Sequence, residues 1–160
     1  MGARMTTQMS AVEQFMQMAT DIMFSEIKTA LAKLGEECVV RVRDRSAKES
    51  WIDRTGNLRS SVGYAIYDHG RKFIESAFAI VKDGGEGQSA GKDMIDSLAN
   101  QYSNVFALVV VAAMNYADFV ESLENKDVLA STELWARSVV DGRIKTAIDY
   151  ATNEINSMEL

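Results

Sequence analysis

The residues best placed to do chemistry lie in Gly84–Lys92, GGEGQSAGK, between an apolar run (Phe78–Val81) and a helical pattern (MIDSLANQ). That order imitates a phosphate-binding loop, in which backbone N–H groups cradle the phosphates and a lysine reaches over them. The spacing departs from the motif. Four residues should separate the first glycine from the Gly-Lys pair, and five separate Gly85 from Gly91. Asp93 stands where a serine or threonine would hold magnesium, and a carboxylate there repels phosphate. The stretch therefore reads as a mobile connector that orders on assembly. A small cytoplasmic enzyme or anion-binding protein using Gly84–Lys92 is the distant rival.

The other candidates are thinner. His69 is the single histidine and follows Asp68, in what reads as a polar turn. Ser25-Glu26-Ile27-Lys28 matches the short serine–lysine pattern of some acyl enzymes but has no companion motif, and it falls on the polar side of a helix. Asp83, Glu86, Asp93, Asp96, Asp118, Glu121, Glu124 and Asp127 are numerous, but acid–base work needs two carboxylates held together in a dry cleft. Cys38 is the single cysteine, so a disulfide within the chain and a cysteine-rich zinc site are both excluded. The expectation is a protein without catalytic residues, metal or cofactor.

Composition bounds the partners. The chain has 160 residues, 47% hydrophobic and 25% charged, as in one ordinary globular domain spanning 1–160. Its 17 basic and 23 acidic residues give a net charge of −6. A protein that grips a nucleic-acid backbone needs the opposite sign, so stable nucleic-acid binding is not expected. The N-terminal MGARMTTQMSAVEQF lacks the apolar core of a signal peptide, and residues 1–10 read as disordered. The longest apolar run, Val105–Met114, is half of the ~20 residues that a membrane-spanning helix needs. Arg41, Arg43, Arg45, Lys48, Arg54 and Arg59 form a basic cluster with two readings: a solvated helix end and loop, or an electrostatic seam to an acidic neighbouring subunit.

The elements that position these residues follow from periodicity. Val12, Phe15, Met16, Ala19, Ile22, Met23, Ile27, Ala30, Leu31, Leu34 and Cys38 make one stripe of a long amphipathic helix, with Gly35 as a point of bending. Thr55 reads as the N-cap of a short helical turn, Gly56–Arg59. From Val62 the period changes to two, Asp68-His69-Gly70 turns the chain, and Lys72–Val81 reads as the returning strand. Asp83–Gly91 reads as a flexible connector and Lys92 to about Tyr102 as a short helix. Val105–Met114 does not alternate and reads as a central strand covered on both faces. A helix starts near Asn115, and a second long helix runs from Val128 to Met158. Proline is absent, so helices run without interruption. The expected class is α+β: a small, mainly antiparallel sheet of a hairpin and a central strand, packed by a long N-terminal and a long C-terminal helix.

Two segments carry a resemblance. Arg54-Thr55-Gly56-Asn57-Leu58-Arg59-Ser60-Ser61-Val62 precedes the hairpin, and Tyr116-Ala117-Asp118-Phe119-Val120-Glu121 follows the apolar strand. Together they resemble the tail-completion or head–tail connector family of long-tailed bacteriophages, its minor tail components. Thr55, Gly56, Leu58, Arg59, Ser61 and Val62 match the first family motif; Tyr116, Ala117, Val120 and Glu121 match the second. Three features depart from the family pattern: Ser122-Leu123 replaces the usual glycine, the usual proline before the last helix is missing, and Asp83–Ser103 is an inserted loop and short helix.

The resemblance implies a non-enzymatic virion structural protein, in a phage or prophage, that forms or completes an oligomeric ring at the head–tail junction, commonly sixfold. Its partners would be copies of itself and other neck and tail-tube proteins, with DNA passing through the ring and no membrane involved. Its place would be the virion neck, after assembly in the host cytoplasm. A tail terminator or another neck protein is the nearer alternative. Arg54, Thr55, Gly56, Asn57, Leu58, Arg59, Tyr116, Phe119 and Glu121 are the candidates for setting the local fold or the subunit contact.

Overall fold

A computed structural model of the protein describes residues 9–45, 54–115, 117 and 127–158. Helix α1 spans Met9–Arg43, the short α2 Asn57–Ser60, α3 Gly85–Leu98 and α4 Ala130–Asn156. Strands β1 (Val62–Asp68), β2 (Arg71–Glu75) and β3 (Phe106–Ala112) form one antiparallel sheet in the order β2-β1-β3. The class is α+β, a small antiparallel sheet with a long helix from each end of the chain. Of the segment 1–10, Met9 and Ser10 belong to α1 and the rest lies outside the described residues. The contacts gather into two compact units: Leu31–Val140, and the segments up to Ala30 and from Asp141 onward.

Within Leu31–Val140 the sheet has a helix on each face, and its alternation explains why. Gly63, Ala65 and Tyr67 point to one side, where Ala65, Tyr67, Phe78, Ile95, Val109 and Val111 make a buried core with Leu98, Ala99 and Tyr102 against it. Tyr64 points to the other side, its ring lying where a Cβ of Gly35 would be. Gly35 is therefore a site of close approach between α1 and β1, not a bend for its own sake. Leu31, Leu34, Cys38, Val39 and Val42 bury the same face of α1. In the other unit, Ala147 and Ala151 of α4 are buried, whereas Met16, Phe24 and Tyr150 are exposed.

Four elements differ from the periodicity reading. The strand in the middle of the sheet is β1, buried along nearly its whole length, and the apolar run β3 lies at an edge. A continuous apolar run thus marked two partly covered faces rather than a central position. The returning strand ends at Glu75, not Val81. A bulge opposite Ile66/Tyr67 disturbs the register, and Phe78 takes φ 47°, which sends its ring inward beneath Gly63 and Gly91. The cap of α2 is Gly56, φ 86°, rather than Thr55, whose Oγ1 accepts from the Asn57 N–H at 3.3 Å. The glycine-rich connector is helical: α3 begins at Gly85, seven residues before Lys92. Its helix-weakening glycines are tolerated because packing against neighbouring backbone replaces what propensity lacks.

Candidate functional site

The first motif segment is held by absent side chains. A Cβ on Gly56 would fall on the Val81 carbonyl oxygen. One on Gly84 would lie 2.7 Å from the Gly56 carbonyl oxygen and against the Ser60 hydroxyl. One on Gly87 would fall on the Asn57 carbonyl. One on Gly91 would meet the Phe78 ring and lie 2.9 Å from the Ser61 carbonyl oxygen. The turn Gly56–Ser61 and the first two turns of α3 therefore touch backbone to backbone, a distance only glycine permits.

Polar groups close the same contact. The Asn57 amide donates from Nδ2 to Glu86 at 3.1 Å, and its Oδ1 accepts from the Gly87 N–H at 3.3 Å. A side chain of α2 thus occupies an N–H in the first turn of α3, one of the groups that a helix leaves unpaired. The Val81 N–H donates to Ser60 Oγ at 2.8 Å. Ser61 Oγ donates to the Leu58 carbonyl at 2.8 Å and accepts from the Ala113 N–H at 3.1 Å. Ser76 Oγ accepts from the Tyr64 N–H at 3.0 Å. These buried serines satisfy backbone groups where the regular ladders end, as buried polar atoms must be satisfied. Of the three, only Ser61 stood out in the sequence, as a match to the first motif; the backbone groups that Ser60 and Ser76 satisfy are set by tertiary contact.

Ser61 gives the two motif segments a meeting point. Ala113 follows β3 and stands three residues before Tyr116, so the end of the first segment is tied to the approach to the second. Ala117 is buried, and its N–H donates to the Met114 carbonyl at 2.9 Å. Tyr116, Phe119 and Glu121 lie outside the described residues. Among the first-segment candidates, Leu58 is buried, whereas Arg54 and Thr55 are exposed at the entrance to the turn.

Four arginines of the basic cluster make contacts within the chain. Arg41 stacks 3.8 Å over the Trp135 ring. Arg43 donates to the Ala79 carbonyl at 2.6 Å, and Arg59 to the Arg45 carbonyl at 3.1 Å. Arg45 donates to the Asp127 carbonyl at 3.1 Å, Ser131 Oγ at 2.7 Å and Thr132 Oγ1 at 2.5 Å, and pairs with the Asp127 carboxylate at 2.6 Å. Asp127 in turn accepts from the Ser131 N–H at 3.2 Å at the start of α4. Burial pushes the Asp127 carboxyl up, but Ser131 and Arg45 outweigh it and hold it below the ordinary aspartate value. A cleft of about 330 Å³ lies beside Arg41, Arg45, Asp127 and Ser131. Lys48 lies outside the described residues.

The chemical candidates fall apart in space or in kind. His69, at φ 49°, is exposed and pairs with Asp68 at 2.7 Å. Ser25 and Lys28 lie on α1, Ser25 on its exposed side. Lys92 is exposed on α3, directly after Gly91, the last of the glycines that the chain's own atoms crowd. Cys38 is buried, and burial with the Glu37 charge raises its thiol to about 11, far from a reactive thiolate. Among the described residues no group of three or more acidic, histidine or cysteine side chains could hold a metal ion, and no helix is long and apolar enough to cross a membrane. No protein-family model, no curated protein and no solved structure matches this chain.

Proposed function

We propose that this chain is a structural protein of a phage or prophage neck, acting by docking and ring assembly rather than by catalysis. The observation that carries the reading is the bond between Ser61 and Ala113, which ties the end of the first resembling segment to the approach to the second. In a protein that works by presenting shaped surfaces, motif residues should fix backbone positions. Gly56, Leu58 and Ser61 do that here, and Asn57 and Ser60 between them add to it, through backbone contacts and internal hydrogen bonds. The same support extends to a tail terminator or another neck component. It extends less well to a phosphate loop at Gly84–Lys92, where Asn57 already takes the Gly87 N–H.

Purified virions, and the chain mixed with purified portal and tail-tube proteins, provide the test. Peptides of this chain are expected in virions at ring stoichiometry, and electron microscopy is expected to show a ring at the neck. Virions assembled normally without the chain would overturn the reading.

A further inference from the structure

The arginines at and just beyond the end of α1 are engaged in different ways. Arg43 and Arg45 give N–H groups to acceptors of the chain itself. Arg41 gives only a face. Its guanidinium lies 3.8 Å over the Trp135 ring, and among the described residues it donates no hydrogen bond and pairs with no carboxylate. The five N–H groups of an arginine lie in the plane of its guanidinium. Stacking therefore fixes that plane and leaves the whole donor edge to an outside acceptor. A fork held this way suits a group that accepts two parallel N–H bonds.

The cleft beside Arg41 narrows the choice of acceptor. Of the described residues that line it, Arg45 and Asp127 pair with each other at 2.6 Å, so the Arg41 charge stands uncompensated. The Asp127 carboxylate remains in the wall, and it repels a doubly charged phosphate more than a singly charged carboxylate. Beside the cleft, Leu134 is 71% exposed and stands three residues after Ser131, on the same side of α4. Arginine and tryptophan are the residues that most often dominate binding at protein interfaces. An exposed leucine next to them offers apolar area for a chain to cover.

We propose that Arg41, stacked on Trp135, is a docking point for a glutamate or aspartate side chain of a partner protein, with Leu134 packing against an apolar residue next to that carboxylate. The site rests on these side chains alone and is independent of the neck reading.

Nitrogen-edited NMR of the full chain tests this through the Arg41 Nε–H, assigned by its loss in Arg41→Gln. The probes are acetyl-leucyl-glutamyl-leucinamide, the same tripeptide with glutamine, sodium acetate and sodium phosphate. The glutamyl peptide is expected to shift the Arg41 Nε–H and the Trp135 indole N–H saturably, and the glutaminyl peptide to leave both in place. In Arg41→Gln, with circular dichroism unchanged, the indole response should disappear. Asp127→Asn leaves the Arg45 charge uncancelled and should tighten peptide binding roughly threefold, the effect of one unit charge a few ångströms away in water. Leu134→Ala should weaken the peptide roughly threefold through lost apolar contact and leave the acetate response unchanged. No response to the glutamyl peptide, or an equal one to the glutaminyl peptide, would overturn the site. Acetate or phosphate bound as tightly as the glutamyl peptide would overturn the protein partner.

Discussion

At Gly87 a methyl group would land on the Asn57 carbonyl, and at Gly142 it would meet nothing within 4 Å. The same substitution should therefore act in opposite directions at two helical glycines. Gly87→Ala is expected to destabilise the chain by roughly 1–3 kcal/mol, the usual penalty of overpacking where backbone cannot yield. Gly142→Ala, in the exposed interior of α4, is expected to stabilise by roughly 0.5–1 kcal/mol by lowering the freedom of the unfolded chain. Urea denaturation of the two variants beside the parent checks both. Equal effects would mean that the contact of α2 with α3 is looser than its geometry implies.

Side chains reach from one element to the next, and Arg45, two residues after α1, reaches Ser131 and Thr132 in the first turn of α4. Arg45→Ala is expected to cost about 2 kcal/mol, the scale of hydrogen bonds to a charged group. Asp127→Asn keeps the shape and removes the charge. Because folding lowers the Asp127 carboxyl below its ordinary value, the charged form stabilises the fold at neutral pH. That contribution is present above the unfolded value of about 3.9 and is lost as pH falls through the lower, folded one. Parent and Asp127→Asn should thus differ in stability at pH 7 and converge in strong acid; a gap that persists there would remove the carboxylate from the account.

Periodicity made the long helices, the hairpin and the class legible, because α1 keeps a helical step through Leu31, Leu34, Cys38 and Val42 and β1 alternates its side chains between two covered faces. What it could not reveal was set by tertiary contact. Gly87 and Gly91 weaken a helix taken alone, and only the approach of Asn57 and Phe78 explains why α3 starts at Gly85. Phe78 reads as a strand residue until its positive φ turns the ring into the core. The Arg45 network joins residues more than eighty positions apart, a pairing that no local pattern announces.

At the scale of the whole molecule, charge is the property that bears on the proposed role. The chain carries 23 acidic and 17 basic residues, and several of the arginines are spent on internal carbonyls and on Trp135. A ring of such subunits should line its channel with acidic side chains, so that DNA passes without being held by its phosphates. A reconstruction of the assembled neck checks this; a strongly basic lumen would contradict it.

The glycine-clamped turn has a consequence for kinship as well as for stability. Gly84, Gly87 and Gly91 recur at three- and four-residue steps along one face of a helix, opposite a turn opened by Gly56. Contacts between backbones demand smallness and little else, so the side chains around them are free to change while the spacing persists. Relatives too diverged for whole-chain comparison would then still share a faint signature: a left-handed glycine before a short turn, and, about thirty residues later, small residues in helical step.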